Sequence, residues 1–275
     1  MQNIVDFTFD GHTSRYLHLP QANKPALIFL MGSLQEIESV QAFNRGFSQD
    51  FDYWAIELPG SGNTGPLHPR FPVSFLAEYL NKMVESLLAN RAVYLVACSY
   101  ATGIALEYAK LRPSGLRRMA LAGSMMDIPL SDWPTMLQLM RDCAFDTRAF
   151  ADGFIDLLTA PDVNIERQSV IRKAAVRKAA NYRDENFWHF VFNTIRLMCY
   201  EPKNLQKIVT PTLVFTGEHD PYVRPEHCER LAGSLKHGEF CVLPGCDHLF
   251  HIEKPRETID LILNFLKQES EELAA

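Results

Sequence analysis

The chain has 275 residues, 47% of them hydrophobic, which supplies one large domain or a core carrying an insertion and excludes a disordered or fibrous chain. A net charge of -6 at pH 7 lacks the cationic surplus that nucleic acid or an anionic membrane surface demands. Six cysteines, Cys98, Cys143, Cys199, Cys228, Cys241 and Cys246, are scattered without a CxxC pair, which points to buried free thiols and gives no metal-ligand spacing.

The N-terminal stretch MQNIVDFTFDGHTSRYLHLP alternates apolar and polar residues and has neither the basic start nor the apolar run of an export signal, so the expectation is a cytoplasmic protein. Nothing approaches the roughly 18 uninterrupted apolar residues of a membrane span. Within that stretch, IVDFTF and SRYLHL flank DGHT and predict an antiparallel hairpin on a sheet edge.

Further along, short apolar runs predict strands at 26–31, 52–57, 93–98, 118–123, 212–217 and 239–244. Helical periodicity predicts helices at 74–89, 100–111, 225–235 and 256–270. Strands alternating with amphipathic segments imply a mostly parallel sheet covered by helices. From about 128 to 200 the rhythm is helical with no strand-like run, so the expected organisation is a core of residues 1–127 and 201–275 with a helical cap at 128–200. Pro211 is expected at the first residue of a strand, where a missing donor is tolerated.

A serine attacks a carbonyl only if a base takes its proton and donors stabilise the resulting oxyanion. In LVACSYATGIALEYA, Ser99 lies between a strand-like run and a helix-like run, with small residues, Ala97 and Ala101, two positions to either side. A sharp strand-to-helix elbow needs that smallness, because strand and helix nearly touch there. Gly103 offers a further close approach. On these residues alone, Ser99 as a plain helix N-cap is an equal reading.

This segment resembles the nucleophile elbow of the α/β-hydrolase family, with alanines where the common G-x-S-x-G pattern has glycines. TLVFTGEHDPYVRPE resembles the acid loop of that family, with Asp220 in the acid position, and LPGCDHLFHIEKP resembles its histidine loop, with His248 as the base. The order Ser99, Asp220, His248 is the order of that family. The resemblance implies an α/β-hydrolase fold with Ser99 as nucleophile, His248 as general base and then acid, and Asp220 orienting the imidazole. Glu218 and Asp127 are rival acids, His251 is a rim or packing histidine, and Cys98 is a small buried hydrophobe.

The resemblance also places the oxyanion donors on Tyr100, directly after the nucleophile, and on Ser33 in MGSLQE, where Met31 replaces the usual histidine and Gly32 keeps the turn. IELPGSGNTG at 56–65 resembles the loop after the next strand, with Glu57 in place of aspartate and a turn shaped by Pro59 and its glycines.

The expected cap is rich in Trp133, Met136, Met140, Phe154, Phe187, Trp188, Phe190 and Phe192, which form its own core or line an apolar acyl pocket. Its basic run, Arg167, Arg172, Lys173, Arg177, Lys178 and Arg183, is a solvated face or a receiver for coenzyme A phosphates or an acyl carrier protein. There is no phosphate-loop, dinucleotide or H-E-x-x-H metal signature, so no cofactor is expected. The expected function is a serine hydrolase cleaving esters or thioesters through an acyl-Ser99 intermediate. An acyltransferase using hydroxyacyl thioesters, similar to bacterial synthases and transacylases of this fold, and a non-catalytic binding member remain open.

Overall fold

The computed structural model describes residues 4–89, 91–161 and 163–268. A hairpin of β1 (Ile4–Phe9) and β2 (His12–Leu19) opens the chain, followed by β3 (Ala26–Leu30), α1 (Gln41–Phe47), β4 (Asp52–Glu57), α2 (Val73–Leu88), β5 (Val93–Cys98), α3 (Ala101–Lys110) and β6 (Leu116–Ala122). Four helices then run without a strand: α4 (Trp133–Phe145), α5 (Thr147–Leu158), α6 (Gln168–Ala179) and α7 (Asp184–Met198). The chain returns through β7 (Thr212–Gly217), α8 (Pro225–Ser234), β8 (Gly238–Leu243), α9 (Phe250–Glu253) and α10 (Pro255–Lys267).

The eight strands among the described residues form one sheet in the order β1-β2-β4-β3-β5-β6-β7-β8. The hairpin pairs antiparallel at one edge, as its alternation predicts, and from β4 to β8 every pairing is parallel. The continuous apolar runs follow from burial on both faces. In β3, Ala26, Ile28 and Leu30 point into one half-core and Leu27 and Phe29 into the other. In β5 the same period of two sends Leu95 and Ala97 one way and Val96 and Cys98 the other. The first half-core is closed by α2, α3 and α8 through Leu76, Leu80, Ile104 and Leu231. The second is closed by α1 and α10 through Phe43, Phe47, Ile262 and Leu266. Burying each such side chain contributes about 1.5–3 kcal/mol.

Three details differ from the sequence expectation. Helix α1 carries too few residues for periodicity to register. Strand β6 begins at Leu116, earlier than its apolar run, because two arginines (Arg117 and Arg118) interrupt the pattern. Pro211 lies one residue before β7, where its carbonyl accepts from the Met119 N–H at 3.0 Å.

Strand order reverses between β3 and β5: from β3 the chain steps to β4 on one side and then to β5 on the other. At such a switch point the loops leaving two neighbouring strands diverge and open a crevice beyond their carboxyl ends. The loop at 31–36 follows β3 and Ser99 follows β5, so both border that crevice.

Candidate active site

Ser99 has φ +47°, a left-handed conformation that side chains other than glycine rarely adopt. The turn is fixed on both flanks: the Ser99 N–H donates to the Ala122 carbonyl at 2.7 Å, and the Ser99 carbonyl accepts from the Thr102 N–H at 2.9 Å and its hydroxyl at 2.7 Å. Ala97 and Ala101 are buried within the joint. A Cβ on Gly103 would come within 3.1 Å of the Tyr200 ring, so the close approach expected there is to α7's C-terminal flank. The N-cap reading of Ser99 fails on geometry: Tyr100 occupies that position and the Ser99 hydroxyl points elsewhere.

Its partner is His248. The Ser99 Oγ is 3.2 Å from His248 Nε2, and His248 Nδ1–H donates to Asp220 Oδ2 at 2.6 Å. Residues separated by 149 positions in the chain thus meet in one relay. Asp220 lies beyond β7 and is held by more than the imidazole. The Thr216 hydroxyl donates to Oδ2 at 2.6 Å, while the N–H groups of Tyr222 and Val223 donate to Oδ1 at 3.0 and 2.8 Å. Four donors leave the carboxylate one orientation. Burial works against a charged His248, but the Asp220 carboxylate, with Asp247 behind it, carries the imidazole above its ordinary value.

Glu218 is half exposed and accepts from the Gly245 N–H at 2.9 Å, and Asp127 pairs with Arg230 at 3.7 Å. Asp220, and neither rival, is hydrogen-bonded to the imidazole. Burial pushes the Cys98 thiol up to about 12, which removes it as a nucleophile. The other cysteines are also unpaired, four of the six being buried, but Cys199 is exposed, against expectation.

Sequence reasoning missed two supports. Thr216 carries no motif signal. Gly123 has φ +62°, and a Cβ there would lie 2.9 Å from His248 Cε1, so only glycine leaves room for the ring. A glycine ending an apolar strand run was the available signal.

Gly32, Ser33 and Tyr100 border the same cavity as Ser99. A Cβ on Gly32 would lie 3.4 Å from Ser99 Cβ, so this turn is seated directly against Ser99. Tyr100 opens α3, where backbone N–H groups have no acceptor within the helix. Its hydroxyl, pointing the other way, accepts from Arg196 at 3.0 Å. Glu57 is fully buried and accepts from the N–H groups of Ile37 and Asn63 as well as from Arg15, so this motif shapes the neighbouring loop.

The cavity measures about 530 Å³ and runs from Ser99 to α4–α7. Of the expected aromatic and methionine residues, Met136, Phe154 and Phe190 line it. Trp133, Met140 and Phe187 pack among the helices themselves, while Trp188 is 44% exposed and lies tilted against Phe192. Leu34, Met125, Ile128, Leu157 and Tyr222 complete the apolar wall. From the basic run, Arg167 and Lys178 reach the cavity; Lys178 pairs with Glu36 at 3.3 Å, and Arg172 pairs with Asp156. His251 also borders it, bonded to Gln35, and burial with His248 and Lys178 nearby pushes its imidazole down to about 3.

Residues 25–255 match the family model for the alpha/beta hydrolase fold. The chain belongs to the alpha/beta hydrolase family. Among curated relatives it is 23% identical to a monoacylglycerol lipase, abhd6-B of Xenopus laevis, over 89% of this chain and 76% of that protein. It is 24% identical to a poly(3-hydroxyalkanoate) depolymerase of Ectopseudomonas oleovorans, over 89% and 85%. A solved alpha/beta hydrolase from a Medee basin deep-sea metagenome library, MGS-M2, superposes with a TM-score of 0.84 at 20% identity, covering 96% of this chain and 98% of the other. No helix among the described residues is long and apolar enough to cross a membrane.

Proposed function

We propose that this hydrolase-family chain cleaves carboxylic esters through a covalent acyl-Ser99 intermediate. The observation that carries the reading is the relay from Ser99 Oγ to His248 Nε2 at 3.2 Å and from His248 Nδ1 to Asp220 at 2.6 Å. The names of its lipase and depolymerase relatives support ester substrates.

In this reading Ser99 Oγ attacks the ester carbonyl as its proton passes to His248 Nε2. The imidazolium is supported by Asp220, which stays ionised. Negative charge on the carbonyl oxygen is met by the backbone N–H groups of Ser33 and Tyr100. Collapse expels the alcohol, which takes the proton from His248 and leaves the acyl group on Ser99. Water then attacks with His248 as base, a second oxyanion collapses, and the carboxylic acid leaves with Ser99 restored.

The helices of residues 128–200 act as a cap that supplies the apolar wall. With Met136, Phe154 and Phe190 lining it, the cavity suits an apolar acyl chain, whether ester or thioester. A coenzyme A or acyl carrier protein site has little support from the basic run, since Arg172 and Lys178 already face Asp156 and Glu36.

Labelling with a fluorophosphonate followed by peptide mapping tests nucleophile, base and oxyanion donors together. The expected result is one adduct, on Ser99, with release of free acid from aryl esters. An unlabelled Ser99 in protein that is folded would overturn the proposal.

A further inference from the structure

Beyond the three residues of the relay, the turn that faces the nucleophile has a support of its own, and its role rests on the ester-hydrolase reading above. Leu34 adopts φ +59°, a conformation that persists in a leucine only where surrounding contacts enforce it. Gln35 provides them. Its N–H donates to the Gly32 carbonyl at 3.3 Å, and its side-chain Oε1 accepts from the Gly32 N–H at 2.9 Å, so one residue clasps both polar groups of Gly32.

That clasp determines which way the amide points. With Oε1 turned to Gly32, the NH₂ group of Gln35 faces His251 Nε2 at 2.9 Å. An amide NH₂ only donates, so His251 Nε2 accepts, and the ring is neutral with its proton on Nδ1. Its surroundings point the same way: burial disfavours a charged ring, and so do the neighbouring His248, three residues before it, and Lys178, which approaches from α6. His251 and His248 thus belong to one short segment, which holds the base with one histidine and, through Gln35, the turn over Ser99 with the other.

We propose that Gln35 and His251 form a positioning pair that sets the Gly32 and Ser33 backbone over the nucleophile. Neither touches the reacting atoms. Without the pair, Leu34 has less reason to keep its left-handed conformation, and the Ser33 N–H loses its aim at the oxyanion, while the apolar wall of Met136, Phe154 and Phe190 is untouched. The effect therefore falls on the transition state and leaves ground-state binding alone.

Steady-state aryl-ester kinetics of the whole chain test this with Gln35→Ala, His251→Ala, the double variant and His251→Gln, each first checked by thermal melting. Gln35→Ala is expected to lower kcat by about 10- to 100-fold, less than outright removal of an oxyanion donor, with KM within about twofold. The double variant should be no slower than the slower single one, because both break one link. His251→Gln, which keeps an acceptor, should recover most of what His251→Ala loses. A kcat within about twofold of the parent in Gln35→Ala, losses that multiply in the double variant, or an effect confined to KM would each overturn the pair. If the parent chain turns over no ester, the ester-hydrolase reading fails and takes this proposal with it; if the parent is active and Gln35→Ala equally so, only the pair fails.

Discussion

Where the cavity borders the sheet, Ser99 is tied to backbone by Ala122 and Thr102 and Asp220 by Tyr222 and Val223, while His248 donates its N–H across to the Leu158 carbonyl at the end of α5 at 3.3 Å. Where it borders α4–α7, the wall is made of Met136, Phe154 and Phe190, which are held by contact without directional bonds. The same helices leave Leu137 and Phe145 at 55% and 87% exposure, whereas the β3 strand residues are at most 1% exposed. The difference teaches that directional bonds enforce position along the sheet edge, while the helical wall enforces shape, a division that suits the proposed acyl transfer from an apolar ester. The two walls meet at Asp247, which accepts from the Ala160 N–H and the Gln168 amide of the helical segment while flanking His248 in sequence.

The sharpest way to break this contrast is on the sheet side. Ser99→Ala should lower kcat on an aryl ester by at least about 10³-fold with the melting temperature little changed. A residual rate near that of the parent would remove the nucleophile from the scheme. Next, Gly123→Ala forces a methyl against His248 at a positive φ, and an activity loss of about 10-fold or more is expected, larger than its effect on binding of a cavity ligand. On the helical side, Phe154→Ala should spare chemistry and shift the ratio of kcat/KM between long and short acyl esters toward the longer by about 10-fold. A uniform loss across chain lengths would mean that this wall, too, positions the reacting groups.

A pH profile sharpens the comparison further. Because Asp220 raises the His248 imidazole above its ordinary 6.5, the base loses its proton only at higher pH, so kcat/KM should rise with pH through a midpoint above 6.5. The same shift favours charged His248 in the folded state, a contribution to stability that is full below 6.5 and lost as pH rises through the raised value. In Asp220→Asn the activity midpoint should fall. The smallest effect is expected at Phe145→Ser on the exposed helix face, within about 0.5 kcal/mol of parent stability by denaturant titration.

Much of this was legible in the residue order, for reasons that differ by element. The β3, β5 and β7 runs are buried on both faces and so read as continuous apolar stretches, whereas the hairpin, at the sheet edge, is only partly buried and interleaves apolar with polar residues. Ser99, Asp220 and His248 could be singled out as candidates because an elbow demands small neighbours and their order resembles that of the family, and the fold brings the three together. Thr216, Gly123 and Gln35 were not, since a hydroxyl, a glycine and an amide carry no pattern until their partners are in place.

The chain's own order of residues therefore determined the strands and their parallel packing, because local periodicity acts over a few residues, while the candidate nucleophile, acid and base came from motifs that resemble those of the family. Only the folded sheet decided that Asp220 and not Glu218 or Asp127 faces His248, that Met136, Phe154 and Phe190 line the cavity while Trp188 does not, and that Gln35 reaches His251. Those outcomes depend on hydrogen bonds and contacts a few ångströms long between residues up to 216 positions apart, which no local pattern encodes.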